Sequence, residues 1–166
     1  PSADAPLFCR GPTRSFRRRR IIPENSVRHS SLADLFLKQA ERYRTKTALR
    51  VKTAGAYRDI SWDELRAHVQ RAAFWLDQAG VVKGDRVAIY LQNIPETAIS
   101  MLACAKIGAV HSVVYAGFSA HALRTRIDDE QAKVVITSDV GHRRGQMIDM
   151  KSVVDEALKG CKYVEY

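Results

Sequence analysis

The sequence predicts an α/β fold in three layers, a mostly parallel sheet with helices on both faces. Two observations predict it. Segments whose apolar residues recur at spacings of three and four alternate along the chain with short uninterrupted apolar runs. Those runs are bounded by glycine, proline and charged turn residues, and they are apolar at successive positions, as strands covered on both sides are. Strands that alternate with helices pair in parallel and carry the helices to the two faces. At 166 residues the chain is one domain, or one domain with a tail.

The elements follow in order. Ser31 can cap a helix with Leu32, Leu35, Phe36, Ala40 and Tyr43 on one face. Ala48 to Lys52 and Tyr57 to Ile60 read as two short strands around Gly55, a hairpin. Ser61-Trp62-Asp63-Glu64 is a capping box, in which the serine hydroxyl accepts from the Glu64 amide and the carboxylate reaches back. Trp62, Leu65, Val69, Ala72 and Leu76 continue that helix, and Gly80 ends it as a left-handed cap. After a turn at Lys83-Gly84-Asp85, Val87 to Leu91 is a buried strand. Pro95 suits the first turn of the next helix, which runs through Ile99, Met101, Leu102 and Ala105 and stops at Gly108. Val110 to Tyr115 is a strand, Ser119 opens a helix through Leu123 and Ile127, Val134 to Thr137 is a strand and Lys151 to Leu158 a helix. Lys162 to Tyr166 begins another strand after a turn at Gly160.

Charge divides the chain in two. The net charge is +9, but residues 1–30 hold seven arginines against Asp4 and Glu24, a net of +5. Residues 31–166 carry only +4. Residues 1–30 have no apolar periodicity and contain Pro6, Pro12, Pro23 and the run Arg17 to Arg20, so they read as a basic, disordered arm. Three roles compete with a bland tail: a mitochondrial transit peptide, a contact with nucleic-acid phosphates and a contact with an anionic membrane surface. Only Phe8 and Phe16 are available there for stacking, which disfavours base-specific recognition. Cys9, Cys104 and Cys161 are far apart and form no CxxC, against a disulfide framework or thiolate zinc site and for a reducing compartment. No apolar run is long enough to span a bilayer, and Ala98 to Val110 is interrupted by Lys106. The reading is therefore cytoplasmic, or mitochondrial matrix if the arm is a transit peptide.

Two segments are candidates for chemistry, and both follow strands at the edge where open α/β sheets bind ligands. In Tyr115-Ala116-Gly117-Phe118-Ser119, small residues permit close approach and Ser119 opens a helix whose free amides favour anions. The plain alternative is a turn at Gly117 and a cap at Ser119. In Gly141-His142-Arg143-Arg144-Gly145-Gln146, two arginines between glycines can form a mobile cationic clamp for a phosphate. The commoner meaning of such a pair is a solvated basic loop. His111, between Val110 and Ser112 on a strand, reads as a hydrogen-bonded core histidine, and Cys104 as a small core residue. His121, His142, Asp128, Asp129 and Glu130 have no metal-ligand spacing, so no metal site is assigned. The loops GxxxxGK[ST] and GxGxxG are absent, as is GxSxG, and no catalytic residue is assigned.

Taken together the motifs resemble the adenylate-forming enzymes, the superfamily of acyl-CoA synthetases, peptide-synthetase adenylation domains and luciferases. Ile60-Ser-Trp-Asp-Glu-Leu65 is similar to their first core motif, and Lys83-Gly-Asp-Arg-Val-Ala-Ile89 to the stretch after it. Ala103 to Ser119 resembles the second core motif in the form used by short-chain acyl-CoA synthetases, above all those acting on acetate, and Leu123 to Leu158 continues the match. The resemblance covers about residues 31–166, and implies part of the large amino-terminal domain of such an enzyme. The implied activity is that of an AMP-forming acid–thiol ligase. ATP converts a short-chain carboxylate to an acyl-adenylate, with Mg2+, and the acyl group passes to CoA. Arg143, Arg144, Gly145 and Gln146 are implied to bind the phosphate end of CoA, and Gly117 to leave room for its pantetheine arm. This favours the clamp over the solvated loop.

Two residues depart from the family pattern. Gln146 stands where a second Arg or Lys is usual, which removes a charge contact. Ala116 stands where the family usually has a glycine, and the resemblance implies that its methyl narrows the thiol channel. The Ser/Thr/Gly-rich phosphate loop ending in Lys-Gly, the adenine and ribose motifs and the catalytic lysine are not among the 166 residues, so the chain reads as an inactive amino-terminal fragment. The expected partners are small molecules, with neither a specific nucleic acid nor a membrane. Two other readings stand beside this: a truncated protein that holds CoA or a partner without turnover, and a nucleic-acid binder acting through the arm.

Overall fold

The computed structural model describes residues 31–53, 55–143 and 145–166, with Arg143 placed by its backbone. The basic arm, including Cys9, and Arg144 lie outside the described residues. The central sheet has three parallel strands: β3 (Arg86–Tyr90) in the middle, β4 (Val110–Val113) on one side and β5 (Val134–Thr137) on the other. Its residues alternate between two cores. Val87, Ile89 and Leu91 join Val134 and Ile136 on one face, while Ala88 and Tyr90 join Val135 on the other. The first face is covered by α1 (Leu32–Tyr43), α2 (Trp62–Gln78) and α3 (Pro95–Ile107), and the second by α4 (Ala120–Glu130) and α5 (Met150–Leu158). This is the three-layer, parallel arrangement expected.

Local chemistry accounts for the boundaries. The Ser61–Glu64 capping box opens α2: the Glu64 N–H donates to Ser61 Oγ at 3.2 Å, and the Ser61 N–H donates to Glu64 Oε2 at 2.7 Å. At its end Gly80 takes a φ of +79°, which lets the Val81 N–H reach back to the Leu76 carbonyl at 3.0 Å. The helix buries Leu65, Val69, Ala72 and Leu76, as their spacing requires. The α1 face is different from the one expected. Ala33, Phe36 and Ala40 are buried, whereas Leu32 is 75% and Leu35 51% exposed. The rotation follows from the packing of Phe36 and Tyr43 on Trp62, whose ring centroid is 6.1 Å from each.

Two antiparallel ribbons accompany the sheet. The first, β1 (Thr47–Thr53) with β2 (Ala56–Ser61), is the hairpin expected around Gly55. The second, β6 (Val140–Arg143) with β7 (Gln146–Asp149), replaces the loop expected between Thr137 and Lys151. Residues 162–166 lie along the outer edge of β5. The Glu165 N–H donates to the Lys133 carbonyl at 2.9 Å, and the Val135 N–H to that of Tyr166 at 3.0 Å. On the opposite edge, β4 is a shorter strand than expected, with Val110 and Val113 about half exposed. His111 there is half-buried rather than enclosed in the core. Among the described residues, no helix is long and apolar enough to cross a membrane.

Candidate functional site

The carboxyl end of β3 organises both candidate segments through two side chains, Tyr90 and Gln92. Tyr90 is buried on the α4–α5 face, and its hydroxyl donates to the Phe118 carbonyl at 3.0 Å and to that of Ala116 at 3.3 Å. Gly117 therefore lies, exposed, between two carbonyls fastened to the central strand. Burial pushes the Tyr90 phenol above its ordinary value, so it remains a donor at neutral pH. Downstream, Tyr115 and Phe118 meet edge to face at 5.7 Å, and the Arg126 guanidinium lies 5.1 Å from the Phe118 ring centroid. Ser119 caps α4, its Oγ accepting from the Ala122 N–H at 3.3 Å. Tyr90→Phe is expected to cost about 1 kcal/mol, because both carbonyls lose their donor while the ring stays packed. Urea unfolding of the two chains measures this directly, and equal midpoints would contradict it.

On the other side of β3, Gln92 holds the β6–β7 hairpin. Its Nε2 donates to the His142 carbonyl at 3.0 Å, and its Oε1 accepts from the His142 N–H at 2.8 Å. One side-chain amide thus satisfies both backbone groups of the residue before Arg143. Arg143 pairs with Gln146 in the hairpin register, and Gly145 has a φ of +79°, a conformation that favours glycine. Gly145 and Gln146 are exposed. The base of the hairpin is held separately. The Asp139 carbonyl accepts from the N–H groups of Met150 and Lys151 at 3.0 and 3.1 Å, and Asp149 caps α5 through the Ser152 N–H at 2.9 Å.

The arrangement sets Gly117 and the backbone of Arg143, Gly145 and Gln146 beyond the carboxyl ends of the strands by way of residues that were not expected. Neither Tyr90 nor Gln92 stands out by motif. The available signal is a polar residue directly after a buried strand, at the edge where ligands bind. Cys104 is fully buried, and burial pushes its thiol up to about 12, so it is an inert packing residue as expected. No group of three or more His, Cys, Asp or Glu among the described residues could hold a metal ion. The Mg2+ implied by the resemblance has no such donor set among the described residues.

A family model describing AMP-binding enzymes matches residues 36–164, a span that contains both candidate segments. The chain belongs to the AMP-binding enzyme family. Within it, this chain is similar to curated acetyl-coenzyme A synthetases. It is 54% identical over 113 residues to that of Streptomyces coelicolor, covering 68% of this chain and 17% of the relative. It is 55% identical over 104 residues to that of Penicillium chrysogenum and 57% over 104 residues to that of Emericella nidulans, each covering 63% of this chain and 16% of the relative. The match thus spans about a sixth of the length of these curated relatives.

Proposed function

We propose that the chain is part of an AMP-forming acid–thiol ligase acting on acetate or propionate, and that this part receives CoA. The whole enzyme would use ATP to form the acyl-adenylate and CoA to accept the acyl group. The hairpin residues Arg143, Arg144, Gly145 and Gln146 would take the phosphate end of CoA, and Gly117 would leave space for the pantetheine arm. Guanidinium groups suit this role because they present fixed donors to phosphate oxygens. The observation that carries the reading is the fastening of both segments to one strand end, by Tyr90 and Gln92. The basic arm is assigned no specific nucleic-acid or membrane role. The free cysteines Cys104 and Cys161 fit a reducing compartment such as the cytoplasm.

The 166-residue chain by itself is proposed to have no ligase activity, because its sequence holds no loop for the triphosphate. Calorimetric titration of the purified chain with CoA tests the site. Binding is expected, weakened by Arg143→Ala by about tenfold or more, the worth of one charge-assisted hydrogen bond. No binding of CoA overturns the assignment of the site. Formation of acetyl-CoA from acetate, ATP and CoA above a protein-free control overturns the inactivity.

A further inference from the structure

We propose that Gln92 is the positioning residue of the cationic hairpin: its amide sets where Arg143 and Gln146 stand at the sheet edge, and thereby the preference for a coenzyme bearing a 3′-phosphate. The inference rests on the CoA reading above. Gln92 is suited to the task because its own backbone is held. Its carbonyl accepts from the Ile94 N–H at 2.8 Å and from Thr97 Oγ1 at 2.5 Å, which ties it to the start of α3. Its side chain then reaches His142, fifty residues on, with a donor and an acceptor together. A reciprocal pair fixes direction as well as distance, so the hairpin cannot slide along the edge without breaking both bonds.

Gly141 makes the latch possible. It is buried, and a Cβ at this position would stand 2.5 Å from Gln92 Nε2 and 2.6 Å from Cδ. The Gln92 amide therefore lies flat on a residue without a side chain, and any larger residue displaces it. The φ of this glycine is not positive, unlike that of Gly145, so its backbone conformation does not itself call for glycine. Gly141 and Gln92 thus form one device, and it sits two residues from Arg143. A ligand phosphate at the hairpin would see the device only through the position of the arginine.

The test compares CoA with dephospho-CoA by calorimetric titration of the full 166-residue chain and of Gln92→Met, Gly141→Ala and Arg143→Ala. Methionine keeps the length and packing of Gln92 and removes both hydrogen bonds. Gln92→Met is expected to weaken CoA about tenfold while changing dephospho-CoA by about twofold or less. Gly141→Ala, which displaces the same amide from the other side, is expected to give the same selective loss, and Arg143→Ala the same direction. Amide hydrogen exchange at His142 is expected to accelerate in Gln92→Met, which shows that the latch has opened in a folded protein. Retention of wild-type selectivity by Gln92→Met, when Arg143→Ala has lost it, overturns the positioning role alone. Equal weakening of both ligands also overturns it, since that is the mark of a general structural defect. If the unaltered chain binds neither ligand, the CoA reading fails, and the positioning role with it.

Discussion

Truncation of Leu123 to alanine is expected to lower the unfolding free energy by about 3 kcal/mol. Leu123 is fully buried, in a core formed with Ala88, Tyr90, Ile127, Met150 and Val154. The strand below is held by parallel pairing on both sides, so the sheet cannot rise into the space left behind. The helices above are tied together as well. Arg124 donates from Nε to the Ala157 carbonyl at 2.8 Å and from Nη2 to that of Glu156 at 2.9 Å, joining α4 to the last turn of α5. A site that cannot collapse keeps its cavity, which places the cost well above simple loss of apolar transfer. Urea unfolding of both chains measures it. Leu35→Ala is the control: Leu35 belonged to the expected core face but is 51% exposed, and its truncation is expected to cost about 0.5 kcal/mol or less. Equal losses at the two positions would contradict the packing described.

Lys133→Met is expected to cost about 2 kcal/mol at neutral pH, and less in acid. The ammonium lies at the opposite edge of the sheet from the candidate site. It donates to the Gly80 carbonyl at 3.0 Å and to Asp85 Oδ2 at 3.2 Å, so it connects the end of α2, the approach to β3 and the approach to β5. Both side chains are mostly covered, 24% and 21% exposed, which preserves more of the pair than a surface bridge retains. Burial pushes the Asp85 carboxyl up, but the Val82 N–H and the Lys133 ammonium outweigh it and hold it below the ordinary carboxylate value. Because the folded value is depressed, the stabilisation is complete above the unfolded value of about 3.9 and is lost as pH falls through the folded one. The Tm difference between the chain and Lys133→Met should therefore be full at about pH 7 and shrink below about pH 4. In an Asp85→Asn background that change with pH should disappear. A difference that grows in acid would reverse the assigned sign.

The fold was legible where a local rule and the core agreed. The capping box at Ser61, the left-handed glycines Gly80 and Gly108 and the apolar run at Val87 each specify a boundary through backbone chemistry within a few residues. The failures lie where the deciding contact is distant. The α1 face turned because Trp62, from another helix, takes Phe36 and Tyr43. The β6–β7 ribbon was hidden because four-residue strands around a charged turn have no strong period-two signal, and its pairing is supported from Gln92.

The sequence by itself determined the three-layer α/β class, the order of its principal strands and helices, and the family. It also supplied the residues of the candidate site, Gly117 and Arg143 to Gln146. These are properties of spacing and residue type, which act locally. Only the tertiary structure decided how the segments are held. Tyr90 and Gln92 lie two positions apart, yet they bind backbone 26 to 50 residues downstream on opposite sides of β3. No periodicity carries that information, because a side chain's partner across a sheet edge is set by strand order. That order, with β3 between β4 and β5, is a property of the assembled sheet.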